Sequence, residues 1–373
     1  MGSYCFFIAA SWGNAAIPKH FNALAHRLVE RGHCVVYLPH GTKVAIDDGN
    51  FHVRNFPSPR PTRLRDFVFL HNLVREYRPD CMIANFGAVN VMNIVGWLNR
   101  VPCRVNWYHT LSTQNEIDTT EAAWKNAILN WRKRAVYRLA TTVMANSEET
   151  RQDAINAFRI KRTKTHVFFY SLPDSANSLP DAIRSDNYFI ICPGRLDRSK
   201  GQDVVIKSLA YLKSAGIKPQ VRFVGAGRQL SMYQALAEEA GVKGQCVFVG
   251  SVPHEEMFRE MAAAAFTIVP SRSEAFGLVN VESMSVGTPV IASAVGGIPE
   301  IIRDGVDGYL VPPDDPEALA EKMKLLLSDP TLREQMGENA RQRFLDMFEQ
   351  TKNIEQQVLW FEELVERHRT PSL

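Results

Sequence analysis

The sequence predicts an α/β protein built from two doubly wound parallel-sheet domains that face each other across a cleft. Short apolar runs typical of buried strands alternate with amphipathic stretches typical of helices. The alternation occurs in two series, separated by the polar, proline-containing segment 171–187. The chain has 373 residues, more than one hydrophobic core normally organises. We therefore expect two domains, with ligands bound at the carboxyl ends of their strands.

The first domain is predicted over residues 1–170. Its strand candidates are 4–10, 34–38, 80–84, 103–107, 141–145 and 165–169. The predicted helices between them are 18–31, 64–77, 88–99, 121–139 and 148–158. No basic region precedes the first apolar run, which is therefore predicted to be a strand and not a signal peptide.

Residues 171–187 are the predicted linker, and the second domain is predicted over 188–354. Its strand candidates are 188–192, 220–224, 246–249, 265–269, 289–292 and 309–311. Its predicted helices are 203–214, 229–240, 254–264, 278–286 and 316–327. Asp315-Pro316 supplies a capping acid and an N1 proline for the last of these. A long amphipathic stretch, about 331–368, then follows without another strand.

Bulk composition excludes several classes of protein. The net charge of +3 is too small to favour nucleic acid as a partner. No two of the six cysteines form a close pair, so we expect free thiols in a reducing compartment rather than a zinc or redox site. No apolar run approaches 18 residues, and a cytoplasmic location is expected. Asp47-Asp48 is assigned to a polar turn and Asp314-Asp315 to a helix cap, so no metal site is predicted.

The segment 270–282 carries the strongest functional signal. Glu274 and Glu282 lie eight positions apart, on either side of Gly277, between a predicted strand and a predicted helix. Gly277 falls near the helix start, where free backbone N–H groups and the helix dipole favour an anion. Glu274 is placed for a sugar-sized group and Glu282 for a ribose-sized group. This arrangement predicts a nucleotide-sugar pocket.

Cations for that pocket are predicted after the first strand of the second domain. Arg195 and Lys200 lie five positions apart, between Gly194 and Gly201. A guanidinium group and an ammonium group that converge on one spot suit a diphosphate. An ordinary basic turn is the alternative.

Three further motifs are weaker. Phe223-Val-Gly225-Ala-Gly227 resembles a dinucleotide fingerprint, but Leu230 stands where the third glycine is needed, which favours a tight turn over NAD binding. Gly13 follows the first strand and would let backbone approach a phosphate, although turn geometry alone also explains it. His109 lies at the carboxyl end of a strand of the first domain. That end faces the predicted cleft and favours a role in the site, although a lone histidine is more often structural or on the surface.

Two basic patches remain, the loop 57–65 and the helix residues 124–134. A solvated basic face explains both, and Trp131 fits a core position as well. The functional alternative is a surface that meets a phosphorylated or membrane-borne acceptor, and so peripheral membrane contact.

With these segments in view, the chain resembles the retaining GT-B glycosyltransferases of family 4. The matching residues are Gly194-Arg195-Leu…Lys200-Gly201, Phe223-Val-Gly-Ala-Gly227, Phe248-Val249-Gly250 before Val252, Pro270-Ser…Glu274-Ala-Phe-Gly-Leu…Glu282-Ser-Met…Gly287-Thr-Pro-Val, and Gly296-Gly297. The resemblance is strong over about 188–315 and weaker before it. Ala275 stands where the family commonly has glycine, and the glycine-rich loop after the first strand is reduced to Gly13. The resemblance implies two Rossmann-like domains and a C-terminal helix, about 355–373, that returns to the first domain.

The resemblance also implies roles for individual residues. Glu274 would contact the donor sugar, and the N–H groups of Phe276 and Gly277 would help to hold its hydroxyls. The N–H groups of Leu278 and Val279 would donate to the diphosphate, and Arg195 and Lys200 would balance its charge. Glu282 would hold the ribose, and the segment around Val252 would face the base. His109 would contact the sugar from the first domain.

The resulting hypothesis is transfer of a hexosyl unit from a nucleoside diphosphate sugar to a carbohydrate or lipid-linked hydroxyl acceptor, with retention at the anomeric carbon. The resemblance favours a UDP-sugar, with a GDP-sugar as the alternative, and a place in polysaccharide, lipopolysaccharide or glycolipid biosynthesis. No permanently bound cofactor and no metal are implied. A nucleotide-sugar 2-epimerase of the same fold and a non-catalytic nucleotide-sugar-binding protein are the alternatives.

Overall fold

The computed structural model describes residues 2–13, 15–41, 44–112, 123–176 and 189–369, and of residues 123–130 it describes the backbone alone. Asn14, the start of the predicted helix 121–139, most of the predicted linker and the last four residues lie outside this range.

The described chain forms two compact units. Residues up to Ser112, residues 123–171 and the helix that begins at Gln350 form the first unit, and Leu172–Glu349 forms the second.

The first unit contains a sheet in which the described residues contribute eight strands, in the order β3-β4-β2-β1-β5-β6-β7-β8. Every neighbouring pair is parallel except β3 with β4. The strands are β1 Cys5–Ala9, β2 Cys34–Tyr37, β3 Asp47–Asp48, β4 Phe51–Val53, β5 Cys81–Asn85, β6 Cys103–Tyr108, β7 Thr142–Ala145 and β8 Thr165–Val167. Its helices are α1 Ala16–Glu30, α2 Leu64–Tyr77, α3 Val89–Leu98, α4 Ala123–Leu139 and α5 Glu148–Phe158, joined by the terminal helix α13 Gln350–Arg369.

The edge strands β3 and β4 are absent from the sequence prediction, which assigned Asp47-Asp48 to a polar turn. The two aspartates are exposed and pair antiparallel with Phe51 and His52 of β4. Strand β4 has three residues, too few for an alternating pattern to show. Both strands exist because β2 offers an unpaired edge, to which Phe51 adds opposite Val35.

The terminal helix α13 packs against α1. Arg31 donates two hydrogen bonds of 2.8 Å to the two carboxylate oxygens of Glu362, and His33 Nε2 lies 2.8 Å from the same carboxylate. Beneath these ion pairs, Phe361 is fully buried, with its ring 6.5 Å from that of Phe6 on β1. A buried aromatic contact thus holds the helix, and the charges fix its direction.

The second unit contains a wholly parallel sheet in which the described residues contribute six strands, in the order β11-β10-β9-β12-β13-β14. The strands are β9 Phe189–Pro193, β10 Gln220–Val224, β11 Cys246–Gly250, β12 Thr267–Val269, β13 Val290–Ser293 and β14 Gly308–Val311. The helices are α6 Gln202–Ser214, α7 Leu230–Glu239, α8 His254–Ala263, α9 Leu278–Ser285, α10 Ile298–Ile301, α11 Pro316–Ser328 and α12 Pro330–Met347. The prediction of two doubly wound α/β units is confirmed.

The predicted amphipathic stretch 331–368 consists of two helices, α12 and α13. Phe348 leaves the helical conformation, with φ −126° and ψ −2°, and its side chain is fully buried with the ring 6.2 Å from that of Phe276. Leu172 and Glu349 form an isolated parallel bridge at the same point. The break therefore comes from tertiary packing of an aromatic side chain.

All six cysteines are unpaired, and Cys5, Cys81, Cys103 and Cys192 are buried. Among the described helices, none has the length and apolar character that crossing a membrane requires.

Truncation of Phe361 is expected to destabilise the first unit. Phe361→Ala leaves a cavity between α13 and β1, and such substitutions cost about 3–5 kcal/mol. Thermal unfolding should shift strongly downward. Leu359→Ala is the matched control, because Leu359 lies on the same helix and is 41% exposed. Equal unfolding temperatures for the two variants would contradict this account of the helix.

Candidate functional site

The loop between β12 and α9 brings Glu274 to Lys200. Lys200 lies at the end of a short 3₁₀ turn, Arg198–Lys200, and its Nζ forms an ion pair with Glu274 Oε1. Ser271 Oγ donates a second hydrogen bond of 3.2 Å to the same oxygen. The two charged side chains are only 18% and 13% exposed. Two residues singled out from separate sequence motifs therefore meet in one largely buried pair.

Two glycines allow this approach of backbone segments. Gly201 has φ +69°, and a Cβ at that position would lie 2.0 Å from the carbonyl oxygen of Pro270. Gly296 has φ +55°, and its Cβ would lie 1.6 Å from the carbonyl oxygen of Glu274. No other residue fits either position, because the conformation is left-handed and the space is occupied by backbone. The Glu274 loop is thus enclosed by close backbone contacts on two sides.

Helix α9 begins directly after this loop. Its N-cap is Gly277, with φ +99°, and the carbonyl oxygen of Gly277 accepts hydrogen bonds from the backbone N–H and the side-chain amide of Asn280. Leu278 and Val279 open the helix and are partly exposed. The first N–H groups of a helix have no intrahelical acceptor, so this end offers donors to an anion. Phe276, next to Gly277, is buried.

Arg195 forms its ion pair with a different carboxylate from the one that Lys200 contacts. Its guanidinium group forms an ion pair of 2.9 Å with Asp197 and is 62% exposed. Asp197 also lies 3.7 Å from Arg228 Nε. Asp197 is buried and holds the exposed guanidinium group of Arg195 at the end of β9. The ion pair of Lys200 is with Glu274 and not with Asp197.

Glu282 lies one turn inside α9 and is 8% exposed. Its Oε1 lies 3.0 Å from His254 Nε2. His254 is the first residue of α8 and follows Val252, which is partly buried in the loop after β11. The sequence prediction missed His254. The signal that it contained was the position of a histidine two residues beyond Val252, directly after Pro253 at a helix start.

In the first unit, His109 follows β6 and uses both ring nitrogens. Nε2 lies 2.7 Å from Asn85 Oδ1, and Nδ1 is hydrogen-bonded to the Tyr170 hydroxyl. Asn85 Nδ2 donates 2.9 Å to the carbonyl oxygen of Ala9, which fixes the orientation of the amide. Because Oδ1 can only accept, His109 carries its proton on Nε2 and accepts from Tyr170 at Nδ1.

Phe86 was also missed by the sequence prediction. Its ring stacks on His109 with 4.1 Å between centroids and 16° between planes, and Tyr170 is parallel to His109 at 5.9 Å. Phe86 is 43% exposed and has φ +46°, a left-handed conformation that is costly for a bulky residue. No sequence pattern marks such a position.

Burial determines the charge of the histidines in this region. Burial, with a smaller contribution from the nearby His20, lowers the pKa of His109 to about 3. Burial likewise lowers the pKa of His20 to about 4, against a smaller opposing effect of its hydrogen bonds. Both imidazoles are therefore neutral near pH 7.

Gly13 has φ +154°, and a Cβ there would meet nothing within 4 Å. It lies after β1 in the first unit. Its predicted phosphate contact stays a prediction, as do the predicted ligand contacts of the other site residues. Within the described residues no group of three or more His, Cys, Asp or Glu side chains is arranged to hold a metal ion.

Comparison with known proteins agrees with this architecture. The family model described as "Glycosyl transferase 4-like domain" matches residues 16–170, and the model described as "Glycosyl transferases group 1" matches residues 177–343. Together the two models match more than half of the chain.

Curated relatives are similar over part of their length. The D-inositol 3-phosphate glycosyltransferase of Thermobifida fusca (strain YX) is 31% identical over 54% of this chain and 51% of its own length. That of Corynebacterium jeikeium (strain K411) is 30% identical over 66% of this chain and 64% of its own. The alpha-D-kanosaminyltransferase of Streptomyces kanamyceticus is 26% identical over 57% and 58%. The chain thus spans about half to two thirds of these relatives.

Solved structures share the fold at low identity. Sucrose-phosphate synthase from Thermosynechococcus elongatus has a TM-score of 0.78 at 21% identity, covering 97% of this chain and 99% of that one. Anabaena Alr3699/HepE in complex with UDP has a TM-score of 0.77 at 20% identity, covering 96% and 100%.

Two doubly wound units, matched by these models and structures, define a glycosyltransferase of the GT-B fold class. Within that class, the chain belongs to the group 1 glycosyltransferases that carry a family 4-like first domain. The family resemblance predicted from the sequence is therefore confirmed.

Lowering the pH is expected to destabilise the first unit through His20 and His109. Each has a pKa near 6.5 in the unfolded chain, against about 4 and 3 in the folded unit. Below pH 6.5 the unfolded chain binds protons that the folded unit does not, so stability falls with pH, by up to about 1.4 kcal/mol per pH unit and histidine.

The denaturant midpoint, measured from pH 7.5 to 5, gives the slope. His20→Asn should have a shallower slope than the wild type, whereas the exposed His26 should be replaceable by Asn without effect on it. Identical slopes for the wild type and His20→Asn would contradict the assignment.

Proposed function

We propose that this protein is a retaining glycosyltransferase that moves a hexosyl unit from a nucleoside diphosphate sugar to a hydroxyl acceptor. The observation that carries the proposal is the Lys200–Glu274 ion pair, held beside the N-terminus of α9. A cation and a helix N-terminus suit a diphosphate, and a carboxylate suits sugar hydroxyls. A donor that contains both groups would use all three.

The diphosphate would lie at the start of α9. There the N–H groups of Leu278 and Val279 donate hydrogen bonds, and Lys200 and Arg195 balance the charge. These groups matter most in the transition state, because negative charge grows on the diphosphate as the sugar leaves. No metal is required for that balance in the proposal.

The sugar and nucleoside would lie on either side of the diphosphate. Glu274 and the N–H groups of Phe276 and Gly277 would hold the sugar hydroxyls, Glu282 the ribose, and the segment around Val252 the base. Since both ring nitrogens of His109 are already hydrogen-bonded, a sugar hydroxyl bound by His109 must replace Asn85 or Tyr170 as a partner. Gly13 would offer backbone to a phosphate.

The proposed chemistry breaks the bond between the anomeric carbon and the diphosphate oxygen, and the electron pair stays on that oxygen. The acceptor oxygen attacks the same face of the sugar, and its proton passes to the departing diphosphate. Retention follows because attack and departure share a face. Among the chain's own groups, Lys200 stabilises the leaving charge and Glu274 orients the sugar.

We propose a UDP-sugar as donor, with a GDP-sugar as the alternative. Crystal structures of Anabaena Alr3699/HepE in complex with UDP and in complex with UDP-glucose support uridine. The acceptor would be a carbohydrate or lipid-linked hydroxyl in polysaccharide, lipopolysaccharide or glycolipid biosynthesis. The inositol phosphate relatives add a phosphorylated polyol to the acceptors worth testing.

A nucleotide-sugar 2-epimerase is the second candidate, since it would need the same donor pocket and no acceptor. NMR of the donor incubated alone with the protein separates the two, because only an epimerase changes the sugar without an acceptor. A non-catalytic binding protein would bind the donor and leave it unchanged.

Removal of either member of the ion pair is expected to abolish most transfer. Lys200→Ala removes the cation at the leaving group, and losses of this kind cost about 2.7–4 kcal/mol, or roughly 10²–10³-fold in kcat. Glu274→Ala should lose a similar factor. The measurement is release of the nucleoside diphosphate, UDP or GDP, from a panel of UDP- and GDP-sugars with candidate acceptors.

Lys207→Ala is the matched control, because Lys207 is a half-exposed lysine on α6 that pairs with Asp203. It should keep wild-type turnover. Transfer near the wild-type rate in Lys200→Ala or Glu274→Ala would remove the basis of the proposal.

Peripheral contact of a cytoplasmic protein with an anionic membrane is the remaining part of the proposal. Trp131 is 71% exposed and is therefore not part of the core, and Arg132 beside it is exposed as well. By contrast, Arg134 donates 2.8 Å to the carbonyl oxygen of Ala157. The exposed indole ring of Trp131 next to the guanidinium group of Arg132 suits an anionic lipid surface.

Co-sedimentation with phosphatidylglycerol vesicles should therefore decrease about fivefold or more in the double variant Trp131→Ser with Arg132→Ser, since each basic group near the surface contributes about 1 kcal/mol. Lys243→Ser, an exposed lysine of the second unit, is the control. Equal binding to neutral phosphatidylcholine vesicles would show that no electrostatic contact exists.

A further inference from the structure

The Glu282 carboxylate is a largely buried anion with a single hydrogen-bonding side chain among the described residues. That side chain is His254, whose Nε2 lies 3.0 Å from Oε1. The side chains of His254 and Glu282 are 26% and 11% exposed. Oε2 accepts no hydrogen bond from the described residues. One oxygen is therefore held by the protein, and the other is available to an incoming hydroxyl.

The imidazole of His254 is itself held in place. Phe258, one turn further along α8, meets the ring edge to face at 4.9 Å and 90°. Phe258 is buried, so its ring cannot move away from His254 without losing packing contacts. His254 is also the first residue of α8, where the helix fixes its backbone. Nε2 must carry a proton to donate to the carboxylate, while Nδ1 is buried and has no hydrogen-bond partner within the described part of the chain.

We propose that His254 is a positioning residue that fixes the Glu282 carboxylate for the ribose hydroxyls of the donor. The proposal rests on the proposed function, in which Glu282 binds the ribose. A glutamate has three rotatable bonds, and ordering its side chain on binding weakens affinity. The hydrogen bond from His254 orders the carboxylate before the donor arrives. Each carboxylate oxygen has two lone pairs, so Oε1 can still accept one ribose hydroxyl and Oε2 the other.

Two amide substitutions separate this role from simple packing. In His254→Gln the side-chain amide reaches about as far as Nε2 and can still donate to Glu282. In His254→Asn the amide lies near the position of Nδ1 and cannot reach the carboxylate. Both variants keep a polar residue at the same helix position, so thermal unfolding should change little in either.

The measurement is calorimetric binding of UDP and of 2′,3′-dideoxy-UDP, which lacks the ribose hydroxyls. We expect His254→Asn to bind UDP about tenfold more weakly than the wild type, and His254→Gln to remain within about threefold. For dideoxy-UDP, the wild type and His254→Asn should bind alike. In turnover, His254→Asn should raise KM for the donor and leave kcat within about twofold. His254→Ala is a second truncation, and it must behave as His254→Asn does.

Three outcomes would overturn the inference: wild-type UDP binding in His254→Asn, equal losses for UDP and dideoxy-UDP, or no rescue by His254→Gln. Glu282→Gln separates this inference from the proposed ribose contact. If Glu282→Gln weakens UDP binding and His254→Asn does not, the inference alone fails. If Glu282→Gln binds UDP like the wild type, the ribose contact of the proposed function fails, and the inference fails with it.

Discussion

The close backbone contacts around the Glu274 loop are the constraint on which the rest of the second unit depends. Gly201 meets the carbonyl of Pro270, and Gly296 meets the carbonyl of Glu274. These contacts draw together segments that follow the strands β9, β12 and β13, three neighbours in the sheet. Because of them, Lys200 and Glu274, 74 positions apart, can form one ion pair. The ion pair therefore depends on glycine at positions 201 and 296, because a side chain at either position would block the close backbone contact.

A pair of this kind adds little to stability. Removing two charges from water costs several kcal/mol for each, and their attraction repays this only in part. An apolar pair of similar volume would stabilise such a position as well or better. The two charges thus have no strong structural reason to be there. Their position beside a helix N-terminus is what one expects of groups that serve a charged ligand.

The sequence predicted the features that depend on local pattern. Apolar runs located the buried strands, and Glu274, Gly277 and Glu282 were placed correctly around the start of α9 because strand, turn and helix signals coincide there. Features that depend on tertiary contacts were missed. Strands β3 and β4 need the free edge of β2, and the break at Phe348 needs a buried pocket for its ring. The contact between His254 and Glu282 forms only because the fold places α8 beside α9, and the stacking of Phe86 on His109 likewise depends on the folded unit.

The candidate site residues of the two units differ in charge, and each set suits a different part of the proposed reaction. The candidate site of the second unit contains charged side chains: Lys200 with Glu274, and an exposed Arg195. Around His109 in the first unit, burial keeps the imidazole neutral, and its neighbours are an amide, a phenol and an aromatic ring. A neutral imidazole with a fixed tautomer can orient a hydroxyl but brings no positive charge to a departing anion. In the proposed reaction the charge of the leaving diphosphate is therefore balanced by the cations of the second unit, whereas His109 is suited to orient an uncharged hydroxyl.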